Sequence, residues 1–352
     1  MTRAPRPGES GSDKKGGGLI ERDDADLRIS FLGGPARDIR PSGSCNQLRH
    51  SVYKTRRKSE KPETSSKTMD LDIDSLRKWI GKSESQSDQV TPTPIAALSA
   101  TLDRDDPFPQ PGDALPPFWH RLYFLPICRQ SELGPDGHPK RGGFLPPVPL
   151  PRRMYAGARL QFHHPVHVGD TISQVSRIVD VNYKSGRTGP LVFVLLRHEI
   201  SDGAGLALSE EQDIVYRDNP TPGAPEGAPH KAPDNAAWTQ EIHPDVVMLF
   251  RYSALLFVGH RIHYDRRYVT EVEGYPGLVV HGPLIATFLL ELLKRNVPGA
   301  NIAGFSFRAI KPLFDIAPFR VSGRVEEDRK TVKLWATTPE GWLAMDATAT
   351  LA

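Results

Sequence analysis

Cysteine is scarce: Cys45 and Cys128 are the only two in 352 residues, and neither has a metal-ligating neighbour at a useful spacing. A disulfide framework and a structural zinc site are therefore not expected, which fits a reducing compartment. Long apolar runs are also lacking. None approaches the roughly 18 uncharged residues of a membrane-crossing helix, so no membrane association is expected. The first residues lack the apolar centre of a secretory signal. Net charge is small, at +3, and its distribution is uneven.

Residues 1–68 carry 15 Lys or Arg against 9 Asp or Glu, while the remainder carries 30 against 33. Apolar residues in this stretch are few and aperiodic, which reads as a disordered basic tail. As a nucleic-acid arm it would have only Phe31 and Tyr53 for stacking, so no nucleic acid is expected as a partner. As a mitochondrial transit peptide it has Arg3 and Arg6 in favour and Glu21, Asp23, Asp24 and Asp26 against. A start at Met69, with the tail untranslated, is the plainer expectation. Cytoplasm is then the default location, with mitochondria the alternative in a eukaryote.

Proline and glycine are plentiful, at 33 and 30, and they punctuate the chain. A short helix is expected over Asp70 to about Ser83, from Leu76, Trp79 and Ile80 at helical spacing, and another around Thr93 to Leu102. Residues 103–153 are Pro-rich and read as an irregular surface loop. Strands are expected at Arg159 to Pro165, Thr171 to Asn182, Leu191 to Ile200 and Leu206 to Tyr216, joined by tight turns into an antiparallel meander. Residues 218–237 form a Pro/Gly/Ala-rich linker. Beyond it come a helix from Pro283 to Leu293 and strands at Ile302 to Ala309, Phe319 to Glu326, Thr331 to Thr338 and Trp342 to Thr350. The expected division is a tail to residue 68, one domain over 69–217, the linker, and a second domain over 238–352.

The segment 251–296 concentrates the chemistry. His260-Arg261-Ile262-His263-Tyr264-Asp265 puts two imidazoles, a guanidinium and a carboxylate within six residues. If extended, His263 and Asp265 share a face opposite Tyr264. A Gly/Pro loop around Gly274 and Gly277 leads to Val280-His281-Gly282, then to the apolar helix with Pro283 in its first turn. A backbone N–H at that helix start suits a developing negative oxygen. His163, His164 and His167 form another cluster, but on a strand His163 and His167 stand roughly 13 Å apart, so no metal site is expected there.

The pattern H-x-D, a Gly/Pro loop and V-H-G before a buried helix resembles the MaoC-type, R-specific enoyl-CoA hydratases. The fuller string F-x-G-HRIHYD, followed by GYPGLVVHGP, is similar to the subfamily of mesaconyl-C(4)-CoA and itaconyl-CoA hydratases and mitochondrial hydroxyacyl-thioester dehydratases. The resemblance covers residues 69–352. It implies an α+β double hot dog, two antiparallel sheets each meant to wrap a central helix. The N-terminal half is degenerate, because the Pro-rich segment stands where its helix should be. A double hot dog is a covalent version of the usual hot-dog dimer, and a further homodimer is possible.

The resemblance also implies a hydro-lyase that adds water reversibly to a 2-enoyl-CoA thioester, with a C5 dicarboxylyl-CoA as the expected substrate. Coenzyme A then enters as part of the substrate, with no cofactor and no metal. His263 matches the catalytic histidine and Gly282 the oxyanion donor; the plainer readings are a hydrogen-bonded structural histidine and a helix-cap glycine. Five residues before the histidine, where the family carries aspartate or asparagine, stands Val258. His260 could supply the missing polar group, Asp265 could orient His263, or activity could be weakened or shifted. Arg261 is a candidate for a coenzyme A phosphate or a substrate carboxylate, or else an ion pair with Asp265 or Glu271. Tyr264, Gly277 and His281 complete the expected substrate-binding set. A hot-dog thioesterase, or a non-catalytic acyl-CoA or acyl-carrier binding module, is the alternative.

Overall fold

The computed structural model describes residues 71–186, 189–219 and 228–352. The expected tail of 1–68, with its alternative start at Met69, lies outside the described residues, as does 220–227 of the expected linker.

Among the described residues ten strands form one antiparallel sheet. They are β1 (Ser83–Gln89), β2 (Arg152–Phe162), β3 (Thr171–Gly186), β4 (Gly189–Asp202), β5 (Gly205–Arg217), β6 (Trp238–Ile242), β7 (Ile302–Ala309), β8 (Phe319–Val325), β9 (Thr331–Thr337) and β10 (Leu343–Leu351). Their spatial order is β1-β3-β4-β5-β2-β7-β10-β9-β8-β6. Read inward from either edge, each half runs first, third, fourth, fifth, second. The halves meet along β2 and β7, in register from Gly157 opposite Arg308 to Gln161 opposite Gly304. A side chain on Gly157 would overlap the Phe307 carbonyl, so glycine is what lets the two halves close.

The expected meander holds for β3-β4-β5 but not for β2, which pairs with β5 and β7 instead of β3. The link after β2 does not close a hairpin because it is tied elsewhere: the Leu115 N–H bonds to the Val166 carbonyl and the Val168 N–H to that of Asp113. The edge strands β1 (SESQSDQ) and β6 (WTQEI) had no apolar alternation to signal them, since β1 is exposed along nearly its whole length.

Helix α1 is only Ile73–Arg77, capped by the Asp72 side chain accepting from the Ser75 N–H. The expected continuation to Ser83 fails because Gly81, at φ +88, turns the chain into β1. Helix α2 (Pro92–Thr101) forms as expected. Helix α3 (Val246–Leu255) starts where the Asp245 side chain accepts from the Met248 N–H. Helix α4 (Gly282–Asn296) is buried continuously from Leu284 to Leu293 and packs on β8, β9 and β10. A helix apolar on all sides needs cover all round. Part of that cover comes from the other half, where Arg104 pairs with Glu291.

Among its described residues the N-terminal half has α1 and α2 but no counterpart of α4. In its place Phe118, Trp119, Leu122, Tyr123, Val148 and Leu150 of the Pro-rich segment are buried. That segment is therefore core cover as well as loop. Among the described residues no helix is long and apolar enough to cross a membrane.

Candidate active site

After α3 the chain turns sharply, with Phe257 at φ 50, and residues 261–263 form a single 3-10 turn. The extended geometry expected for HRIHYD is therefore absent, and His263 and Asp265 are not partners. Asp265 instead accepts from the Tyr268 N–H at 3.0 Å and from Arg261 Nε and Nη2 at 3.0 and 2.7 Å. Arg261 gives its remaining edge to the Pro135 carbonyl at 3.0 Å. The expected ion pair with Asp265 is thus present, and it occupies the Nε/Nη2 edge that would grip a carboxylate in two parallel bonds.

His263, only 9% exposed, is oriented by a backbone group. Its Nδ1 lies 2.7 Å from the Val279 carbonyl. A carbonyl can only accept, so Nδ1 carries the proton and Nε2 keeps a free lone pair. Burial pushes its pKa down to about 4, with the Val279 hydrogen bond opposing and His138 adding to the fall. The imidazole is neutral near pH 7, as a base must be.

Three other imidazoles surround it. His281 stacks on His263 with ring centres 3.6 Å apart, and its Nε2 meets the Ser253 hydroxyl at 2.8 Å. His260 stands edge-on to His263 at 5.3 Å. His138 lies 3.9 Å from His260. Burial also depresses the pKa of His281, His260 and His138, the last to about 4.

His138 comes from the Pro-Gly loop of the N-terminal half and was not foreseen. The Arg261 N–H bonds to the Asp136 carbonyl at 2.9 Å and pins that loop on the histidine segment. Gly137, at φ +85, passes so close to Gly259 that any side chain would overlap the Gly259 carbonyl. Nothing in local spacing links residue 138 to residue 260, so this contact had no signal in the sequence.

Gly282 opens α4. In the first turn of a helix the N–H groups have no intrahelical acceptor, and Pro283 offers none. The Gly282 N–H therefore stands at the positive end of the helix dipole. A Cβ here would meet nothing closer than 4.0 Å, so glycine is not demanded by crowding within the chain. Gly277 is a packing position: its Cβ would press on Ile316 and Asp315, and it does not line the cavity. Tyr264 does line it, but its hydroxyl donates to the Gly259 carbonyl at 2.9 Å.

His260, His263, His281 and Gly282 all line one cavity of about 2190 Å³. That exceeds the roughly 300–1,000 Å³ of ordinary small-molecule pockets and suits a long ligand. Asp136, His138 and His260 bring possible metal-ligating atoms within 4.8 Å of one another. The Arg153 charge acts on all three, however, and Asp136 is already bonded to His138 at 3.2 Å, so the set is poorly disposed to a cation. His164 and His167 pair with Asp202 and Asp170 respectively. The site thus offers a lone pair beside a dipole-backed N–H donor, a combination that serves proton transfer next to a carbonyl.

Residues 118–315 match the family of hydroxyacyl-thioester dehydratase type 2. The chain is 48% identical to mesaconyl-C(4)-CoA hydratase of Chloroflexus aurantiacus over 276 residues, 78% of this chain and 96% of that protein. It superposes on a MaoC-like dehydratase with a TM-score of 0.60 at 12% identity, covering 79% of this chain and 99% of the other. A Mycobacterium tuberculosis protein described as a double hotdog fold gives a TM-score of 0.50 at 14% identity, covering 79% and 97%. These two structural likenesses concern the fold alone.

Proposed function

The chain belongs to the hydroxyacyl-thioester dehydratase type 2 family, and from that premise we propose that it adds water reversibly to a 2-enoyl-CoA whose acyl group is a C5 dicarboxylic one, such as mesaconyl-C(4)-CoA. The observation that carries this reading is the pairing of a histidine with its Nδ1 proton fixed on the Val279 carbonyl and the N-terminus of α4 in one cavity.

His263 Nε2 takes a proton from water as the oxygen attacks the β-carbon. The electron pair of the double bond moves toward the thioester, and the carbonyl oxygen gains enolate character against the Gly282 N–H. The imidazolium of His263 then returns a proton to the α-carbon, so the elements of water are added without loss. In the reverse direction the same groups exchange roles. His260, edge-on to His263, takes the place of the polar group missing at Val258, and His138 packs behind it. Backbone polarisation of the thioester leaves no step for a cofactor or metal.

The test follows the loss of enoyl-thioester absorbance beside a free-thiol assay. Hydration without thiol release is expected, whereas thiol release would identify a thioesterase and sink the proposal. His263→Ala should lower kcat by at least about a hundredfold. A wild-type rate in that variant would remove His263 from the mechanism.

A further inference from the structure

A second polar cluster borders the same cavity, which it reaches through Arg121 and Tyr155, and it takes no part in the proposed hydration step. Glu210 on β5 is 2% exposed. It accepts from Arg121 Nη1 at 2.7 Å and from the Tyr155 hydroxyl at 2.8 Å, and meets His120 Nε2 at 3.1 Å. Burial alone would push the Glu210 carboxyl up, but Arg121 and His120 outweigh it and hold the group ionised. Burying such a pair is weak support for stability, because desolvation offsets the attraction. Its geometry suggests another use.

The Arg121 guanidinium lies between two rings, 5.2 Å from the centre of Phe118 and 5.0 Å from that of Tyr155. Glu210 and Tyr155 occupy only Nη1. Nε is buried with no partner, and Nη2 has none among the described residues. Nε is walled off, so the guanidinium, fixed in orientation, turns only Nη2 to the cavity, a charged donor of the kind that takes a carboxylate oxygen in a charge-assisted hydrogen bond. Arg121 lines the cavity next to the reaction centre. The Tyr155 ring is 4.0 Å from where a Cβ on Gly282 would sit. Tyr252, whose hydroxyl feels the Arg121 charge, packs at 4.9 Å on His281, which stacks on His263.

The proposed substrate class needs such a group. An acyl-CoA formed through one end of a dicarboxylic acid keeps its other carboxylate, and in mesaconyl-C(4)-CoA that carboxylate is attached to the carbon that receives water. Its reader must lie within a few bonds of His263 and Gly282. The other cavity cations are less suited. Arg261 is committed to Asp265, Arg141 to the carbonyls of Val148, Leu150 and Pro151, and Arg152 to Asn219, Tyr275 and Glu273. Arg153, beside His138 and His260, is the nearest rival at the histidines, and Lys140, Arg217 and Lys311 also line the cavity.

We propose that the unpaired Nη2 of Arg121, on a guanidinium held in place by Glu210 and Tyr155, is the subsite for the unesterified carboxylate of a dicarboxylyl-CoA substrate. This rests on the hydratase reading, and it moves the role of carboxylate reader from Arg261 to Arg121.

The experiment compares kcat/KM for mesaconyl-C(4)-CoA with that for crotonyl-CoA, which has no free carboxylate, in the full-length protein. Arg121→Gln leaves Glu210 buried without its cation and could unfold the chain. It is therefore paired with the neutral double variant Arg121→Gln/Glu210→Gln, each checked by its thermal midpoint. In whichever variant is folded, the ratio of the two kcat/KM values should fall roughly 10- to 100-fold, the range of a hydrogen bond to a charged group. Arg121→Lys, which keeps the charge and loses the planar group that Glu210 and Tyr155 orient, should restore only part of it. An unchanged ratio with both substrates still hydrated overturns the subsite and leaves the hydratase reading standing. A fall seen in Arg153→Gln and not at Arg121 also overturns it. If the wild-type protein hydrates neither thioester, the hydratase reading fails and the subsite falls with it.

Discussion

At the residue scale, the place of His263 in the cavity was legible because its motif is short and contiguous, but the group it bonds to was not. Asp265, two residues away, was one of the candidates for orienting it. The 3-10 turn sends that carboxylate to Arg261 and leaves the Val279 carbonyl, a group every residue possesses, to fix the imidazole. The depressed pKa values of this imidazole group have two consequences. In the unfolded chain each would protonate near 6.5, while in the fold His263 and His138 resist to about 4 and His260 and His281 are also held well down. Between those values the unfolded chain holds more protons, so stability rises with pH through that window and is lost as pH falls through it. Urea midpoints should be flat above about pH 7.5 and drop already between pH 6.5 and 5. An acid transition confined to the carboxylate range would contradict this. The acid limb of kcat/KM should likewise lie nearer 4 than 6.5.

At the scale of elements, the continuous apolar helix and most strands with apolar alternation were readable within a few residues, because their periodicity is local; β2 was not, since it begins at Arg152, seven residues before the expected Arg159. The edge strands were not, since a polar strand at the border of a sheet has no buried face to impose a period. Nor was the second task of the Pro-Gly loop. It reads as surface, yet it places His138 against His260 by laying Gly137 on Gly259. Gly137→Ala meets both a left-handed backbone and a backbone overlap. It should cost at least about 1 kcal/mol and lower kcat/KM by on the order of tenfold or more through misplacement of the histidines. A variant that matches wild type in both the urea midpoint and the rate would show that the loop does not hold the site together.

On the scale of the whole molecule, the repeat was visible as two series of strands separated by a composition shift, and the missing helix of the first half was visible as a run of prolines. How the halves join was not, because the β2–β7 seam pairs residues about 150 apart and depends on one glycine. Gly157→Val should open that seam. Since α4 takes an ion pair from the first half, the variant should unfold at lower urea in one cooperative transition by both far-ultraviolet circular dichroism and tryptophan fluorescence. Two separated transitions would mean that each half is stable alone.

The mirrored strand order has a further consequence. In an assembly of identical single hot dogs, each residue appears at every symmetry-related position, and a group useful at one is imposed on the others. Here one half contributes His263 and the start of α4, and the other contributes His138, Arg121 and Glu210. The arrangement has the specialisation of a heterodimer with a fixed one-to-one stoichiometry. Dilution cannot part the two contributions, because they share one polypeptide.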